Sequence, residues 1–231
     1  MAKPPVPAGV PAGGQGAVAA FLARAASVPA LRAAPSPARL LFGVDATASR
    51  QPTWDHAASV QAEMFGAAGG RLAVSLAYYR GAGEFAATPY LSDARELAGR
   101  MSRVTCAAGH TQILRLLRHA EAEAATRLRA MVFVGDACEE EARPILDVAT
   151  RLGILRVPAF VFQEGDDPAA TPVLREVARR SGGAWAPFDH RSAGALAALL
   201  RGAAAYASGG REALARLPGG AALLARLAAP S

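Results

Sequence analysis

Thiols are scarce in this chain. Cys106 and Cys138 are the only cysteines among 231 residues; two cannot build a disulfide framework, and their spacing matches no zinc site. Lysine is scarcer still, since Lys3 is the only one and arginine carries almost all the positive charge. The arginines (Arg95, Arg100, Arg103, Arg115, Arg118, Arg175 and others) are scattered through helical stretches, and aromatic residues, at 6%, are not interleaved with them. A nucleic-acid footprint needs basic residues clustered with stacking partners. The net charge of +6 therefore reads as solvated helix faces, and an RNA-associated role would rest on charge alone. Long apolar runs are missing too. The most apolar stretch, residues 193–207, is broken by Arg201, and the short run at 17–23 is followed by Arg24, which makes a poor secretion signal. A cytoplasmic protein with reduced thiols and no membrane partner is expected.

What the chain does have is apolar mass: 52% of its residues are hydrophobic and 19% charged, enough to bury a substantial core. Residues 1–38 form an extension rich in proline, alanine and glycine. Pro4, Pro5, Pro7, Pro11 and the Gly13–Gly14 pair predict a mobile tail over 1–14. A short helix is expected over 16–27, its apolar face made by Val18, Phe21 and Leu22, and it should be ordered only when that face is covered. From Arg39 the pattern becomes regular, and residues 39–207 read as one domain, with a helical tail over 208–231. Continuous apolar runs at 40–44, 72–79, 131–134 and 158–162 read as strands buried on both faces. Shorter strands are expected at 84–87, after the turn made by Gly81 and Gly83, and at 184–188. Helices are expected from Pro52 to about 68, and over 92–101, 111–128, 142–152, 172–180 and 192–206. Strands alternating with helices predict an α/β fold: a Rossmann-like, doubly wound, mainly parallel six-stranded sheet with one antiparallel edge strand and helices on both faces.

In such open sheets, ligands bind beyond the carboxyl ends of the strands, where the strand order reverses. The first strand runs into Asp45-Ala46-Thr47-Ala48-Ser49, a later one into Gly135-Asp136, and Gly109-His110-Thr111 precedes the long helix between them. Asp45, Thr47, Ser49, Thr111 and Asp136 together offer two carboxylates and three hydroxyls. All are oxygen donors, the preference of a hard cation, so Mg²⁺ is expected, with Mn²⁺ or Ca²⁺ as substitutes, rather than zinc or copper. Taken singly, Ser49 and Thr111 also stand where helix N-caps belong.

The set resembles the metal-ion-dependent adhesion site of the von Willebrand factor A family. Asp45-Ala46-Thr47-Ala48-Ser49 is similar to its Asp-x-Ser-x-Ser, with Thr47 replacing a serine and keeping the hydroxyl; Thr111 matches its lone threonine and Asp136 its last aspartate. The resemblance runs over about residues 39–206. It implies a protein-binding module whose metal ion takes an exposed Asp or Glu of a partner, alone or within a chaperone or AAA-type assembly. Arg50, His110 and Glu139 are expected at the rim of the site. Glu139, Glu140 and Glu141 are expected to favour the N-terminus of the helix that follows them. The alternative is a haloacid-dehalogenase-like phosphatase with Asp45 as nucleophile. That chemistry asks for an acid two residues on, where Thr47 stands, and a basic residue for the phosphate, yet no lysine follows Lys3. No enzymatic activity is expected, because the sequence offers no activated nucleophile with a paired base.

Overall fold

The structure, a computed structural model, describes residues 15–27, 37–189 and 194–217. The tail predicted over residues 1–14, the prolines at 29 and 35 and the end of the C-terminal tail lie outside the described residues. Along the chain the elements are α1 (Gln15–Ser27), β1 (Ala38–Asp45), α2 (Gln51–Val60), α3 (Ala62–Ala67), β2 (Leu72–Arg80), β3 (Glu84–Ala87), α4 (Ala94–Met101), α5 (Ile113–Glu123), β4 (Leu128–Gly135), α6 (Ala142–Ile154), β5 (Ala159–Glu164), α7 (Ala170–Ser181), β6 (Ala184–Phe188) and α8 (Ala195–Ala215).

Among the described residues the strands form one six-stranded sheet in the order β3-β2-β1-β4-β5-β6. All pairings are parallel except the β2–β3 hairpin at one edge. Side chains alternate across the strands, and helices cover both faces. Leu40, Phe42, Val44, Val74, Leu76, Val132, Val134, Phe160 and Phe162 point to one face and pack with α1–α4 and α8. Leu41, Tyr79, Met131, Phe133 and Val161 point to the other, under α5, α6 and α7. That double cover is why the central strands read as unbroken apolar runs. The covering helices carry the matching stripe: Ile113, Leu116, Leu117 and Ala120 on α5, and Ile145, Val148, Ala149 and Leu152 on α6, all buried.

Gly43 is the gap in this pattern. It lies on β1 under α5, and a Cβ there would come 2.6 Å from Leu116 Cδ2 and 3.2 Å from the Val132 carbonyl oxygen. Its lack of a side chain lets α5 sit close to the strand that carries the first site residue. Gly43→Val should overpack this contact and destabilise the protein by about 1–3 kcal/mol, seen as a lower urea midpoint at unchanged slope.

The 16–27 helix predicted from the sequence is α1, and it is docked. Phe21 is fully buried, meeting Phe160 and Phe162 edge-on at 5.6 and 5.0 Å. Gly202 on α8 makes room for it and for Leu22. Two expected helices come out differently. The first is interrupted at Gln61 and becomes α2 and α3. The helix predicted over 111–128 is shorter at both ends: α5 stops at Glu123, a 3-10 turn follows, and Arg127 adopts a left-handed backbone at φ 68°. Leu128 therefore belongs to β4, whose start the helix-forming run Ala124-Ala125 had masked in the sequence. Among the described residues no helix is long and apolar enough to cross a membrane.

Candidate functional site

β1 has β2 on one side and β4 on the other, so the strand order reverses between β1 and β4. At their carboxyl ends lies a cavity of about 230 Å³ lined by Asp45, Thr47, Ala48, Ser49, Ala108, Gly109, Thr111, Asp136, Ala137 and Glu139. All five proposed metal ligands line this one cavity.

Asp45 is the last residue of β1 and is 1% exposed. Its Oδ1 accepts from the Thr47 amide at 2.8 Å, and its Oδ2 accepts from the Tyr79 hydroxyl at 3.2 Å. Burial pushes its carboxyl above the usual carboxylate range; hydrogen bonds from Thr47 oppose the rise, and the charge of Asp136 adds to it. Thr47 keeps an extended backbone, and a 3-10 turn over Ala48–Arg50 follows. Thr47 is buried and Ser49 exposed.

The loop before α5 is tied in by its backbone. The Ala107 amide donates to the Ala46 carbonyl at 3.1 Å and the Gly81 amide to the Ala107 carbonyl at 3.3 Å. Gly109 is pressed against Gly81: an added Cβ would lie 1.9 Å from the Gly81 carbonyl oxygen, so this wall of the cavity has room only for glycine. Thr111 does not cap the helix, as its sequence position suggested, because α5 starts two residues later. Its hydroxyl accepts from the Glu139 amide at 3.0 Å, and its own amide donates to Glu139 Oε2 at 3.1 Å. Ser49 likewise lies inside the 3-10 turn rather than capping α2.

The glutamates after Asp136 also depart from expectation. Glu140 takes the amides of Ile113 and Leu114, at 2.5 and 3.0 Å, so its carboxylate serves the N-terminus of α5 and not that of α6, the helix following it in sequence. Two orphan donors of α5 are satisfied this way. Burial pushes the Glu140 carboxyl up. Glu141 stands at the N-cap position of α6 with no side-chain cap bond. Glu139 does reach the cavity, and its Oε2 lies 3.2 Å from Nδ1 of the exposed His110.

Arg50 is not on the rim. It is 5% exposed and lies outside the cavity lining. Its Nη1 is 3.0 Å from Asp136 Oδ2, and its Nη2 donates to Glu164 and to the Thr53 hydroxyl. The Thr53 hydroxyl in turn donates to Glu164. Glu164 ends β5, the strand next to β4. The sequence reading passed over it, although the rule of looking at the carboxyl ends of strands applied to β5 as much as to β1 and β4. Tyr79 reads from the apolar pattern of its strand as a core or sheet-end aromatic, a pattern that gives no sign of its bond to Asp45.

Burial pushes the Cys106 thiol up to about 11 and raises that of Cys138 as well, which disfavours the thiolate at both. Among the described residues no three of His, Cys, Asp and Glu gather closely enough to hold an ion by themselves. An ion at this cavity would depend on hydroxyls as well as on Asp45 and Asp136. That donor chemistry, all oxygen with two carboxylates, fits a small hard divalent cation.

No family model and no curated protein matches this chain. Solved structures do. A von Willebrand factor type A protein from Catenulispora acidiphila is 16% identical with a TM-score of 0.58, over 75% of this chain and 43% of that one. The SpRpn10 VWA domain is 10% identical with a TM-score of 0.55, over 71% of this chain and 93% of that one. The manganese-loaded TRAP protein of Plasmodium vivax is 15% identical with a TM-score of 0.50, over 71% of this chain and 72% of that one. The chain thus spans under half of the first of these proteins and nearly all of the second.

Proposed function

We propose that this chain, which has the von Willebrand factor A fold, is a metal-dependent protein-binding module. Asp45, Thr47, Ser49, Thr111 and Asp136 would hold one divalent cation, Mg²⁺ foremost, with Mn²⁺ or Ca²⁺ able to replace it. When bound, the ion would supply a positive centre for the carboxylate of an exposed Asp or Glu on a partner protein. The observation that carries this reading is the convergence of all five side chains, drawn from three separate segments, on one cavity at the point where the strand order reverses. The manganese-loaded state of one structural neighbour and the zinc-occupied site of another support a divalent ion here.

The chain's own residues prepare the site. Tyr79 and the Thr47 amide hold the Asp45 carboxylate in place, and the Glu139–Thr111 pair of hydrogen bonds staples together two loops that line the cavity. Glu139 lines the cavity, and the exposed His110 beside it would meet a partner arriving there. No catalysis is proposed. Thr47 occupies the position where a phosphatase would need its second acid, and Asp45, at 1% exposed, is already bound to two donors. The place proposed for the protein is the cytoplasm, with both cysteines unpaired, acting alone or within a larger chaperone or AAA-type assembly. The test is a pulldown in Mg²⁺ and in EDTA. Partners should be retained by the wild type only with Mg²⁺ and lost in Asp136→Ala. Retention that ignores both EDTA and the substitution would refute the reading.

A further inference from the structure

We infer that Arg50 is a built-in counter-cation that weakens the hold of this site on its metal ion, and that Glu164 sets how strongly it does so. The inference rests on the metal-site reading above and concerns how tightly the site is loaded. Asp136 faces two ways. It lines the cavity, with its side chain 31% exposed, and one of its oxygens lies 3.0 Å from Arg50 Nη1. The guanidinium is almost wholly buried beside the cavity without lining it. It cannot shed its charge by deprotonating, and with little water around it that charge is poorly screened. A divalent ion in the cavity would therefore share Asp136 with a fixed positive charge and be repelled by it.

Glu164 is the second carboxylate on the same guanidinium, and Thr53 fixes both groups by bonding to each. It draws part of the arginine's hydrogen bonding and field away from Asp136. Arg50 thus acts from outside the cavity, by holding one oxygen of Asp136 and by its own charge. A site loaded this weakly would gain most from an external carboxylate, because the arriving ligand restores the negative charge that Arg50 has offset.

Two variants that share one change separate this from a purely structural role. Mn²⁺ dissociation constants are measured by calorimetry on the metal-stripped chain. Glu164→Gln leaves the arginine's charge to Asp136 alone and should weaken Mn²⁺ binding by roughly threefold or more. Adding Arg50→Met to Glu164→Gln removes the competitor with no net change in charge from wild type, and should bind Mn²⁺ roughly tenfold more tightly than wild type. If Arg50 only holds Asp136 in place, the double variant binds more weakly instead. Equal or weaker binding by the double variant, with wild type still binding, overturns this inference and leaves the metal site standing. Binding by neither protein overturns both. Should the double variant not fold, Glu164→Gln decides, and an unchanged dissociation constant there overturns the inference.

Discussion

Asp45→Asn should melt at a higher temperature than wild type in EDTA at pH 7, and should lose the response to Mn²⁺ altogether. The first effect follows from burial. The Asp45 carboxyl lies above the ordinary carboxylate value because burial disfavours its charge, so the folded chain holds that proton more tightly than the unfolded chain does. Stability then falls as pH rises from the ordinary value through the raised one, and the whole penalty is present above it. Asparagine keeps an oxygen for the Thr47 amide and carries no charge, so it escapes the penalty. The difference between the two proteins should shrink as pH falls through the raised value, where wild-type Asp45 takes up its proton. The second effect follows from mass action. At a hundred times its dissociation constant an ion adds about 2.7 kcal/mol to the native state, or roughly 5–10 °C in a domain of this size. Wild type should show that rise and Asp45→Asn none. Melting curves in EDTA and in excess MnCl₂, at pH 7 and at progressively lower pH, check both parts. A variant less stable than wild type in EDTA would contradict the view that Asp45 is a strained charge.

Arg50→Met alone should be among the most damaging single changes in the chain. It removes the one guanidinium that Asp136 and Glu164 share, and Glu164 has only 11% of its side chain exposed. Breaking a buried ion pair from one side typically costs about 3–5 kcal/mol, and here the guanidinium is taken from two carboxylates at once. Neutralising Glu164 as well should restore much of that, since replacing both members of a buried pair is often close to neutral. Urea unfolding of Arg50→Met and of the double variant with Glu164→Gln gives the comparison. A loss below about 1 kcal/mol in the single variant would mean that water already screens the pair as it does at a surface.

Much of the architecture could be read in the sequence because its signals were strong. The continuous apolar runs marked the central strands, Gly81 and Gly83 marked the hairpin, and the alternation with helices marked a parallel sheet. The Asp45, Thr47 and Ser49 spacing, with Thr111 and Asp136 at the ends of later segments, drew attention to the end of the sheet where the cavity lies. What escaped were relations with no local signature. Arg50 follows an exposed serine and looks like a surface residue, and its pairing with Asp136 and with Glu164, 114 residues away, explains its burial. Glu140 sits just before α6 and reads as a partner of that helix, whereas the folded chain aims it at α5. The end of α5 was misjudged because Ala124 and Ala125 favour a helix and nothing nearby announces the left-handed turn at Arg127.

The central claim is that Asp45, Thr47, Ser49, Thr111 and Asp136 form one divalent-cation site. Calorimetric titration of the metal-stripped chain with Mn²⁺, beside Asp45→Ala and Asp136→Ala, tests it most directly. Wild type should give a one-site isotherm, Asp45→Ala no saturable heat, and Asp136→Ala binding weakened by roughly tenfold or more. A folded wild-type chain that takes up no Mn²⁺, or an Asp45→Ala variant that binds it as wild type does, would contradict the account.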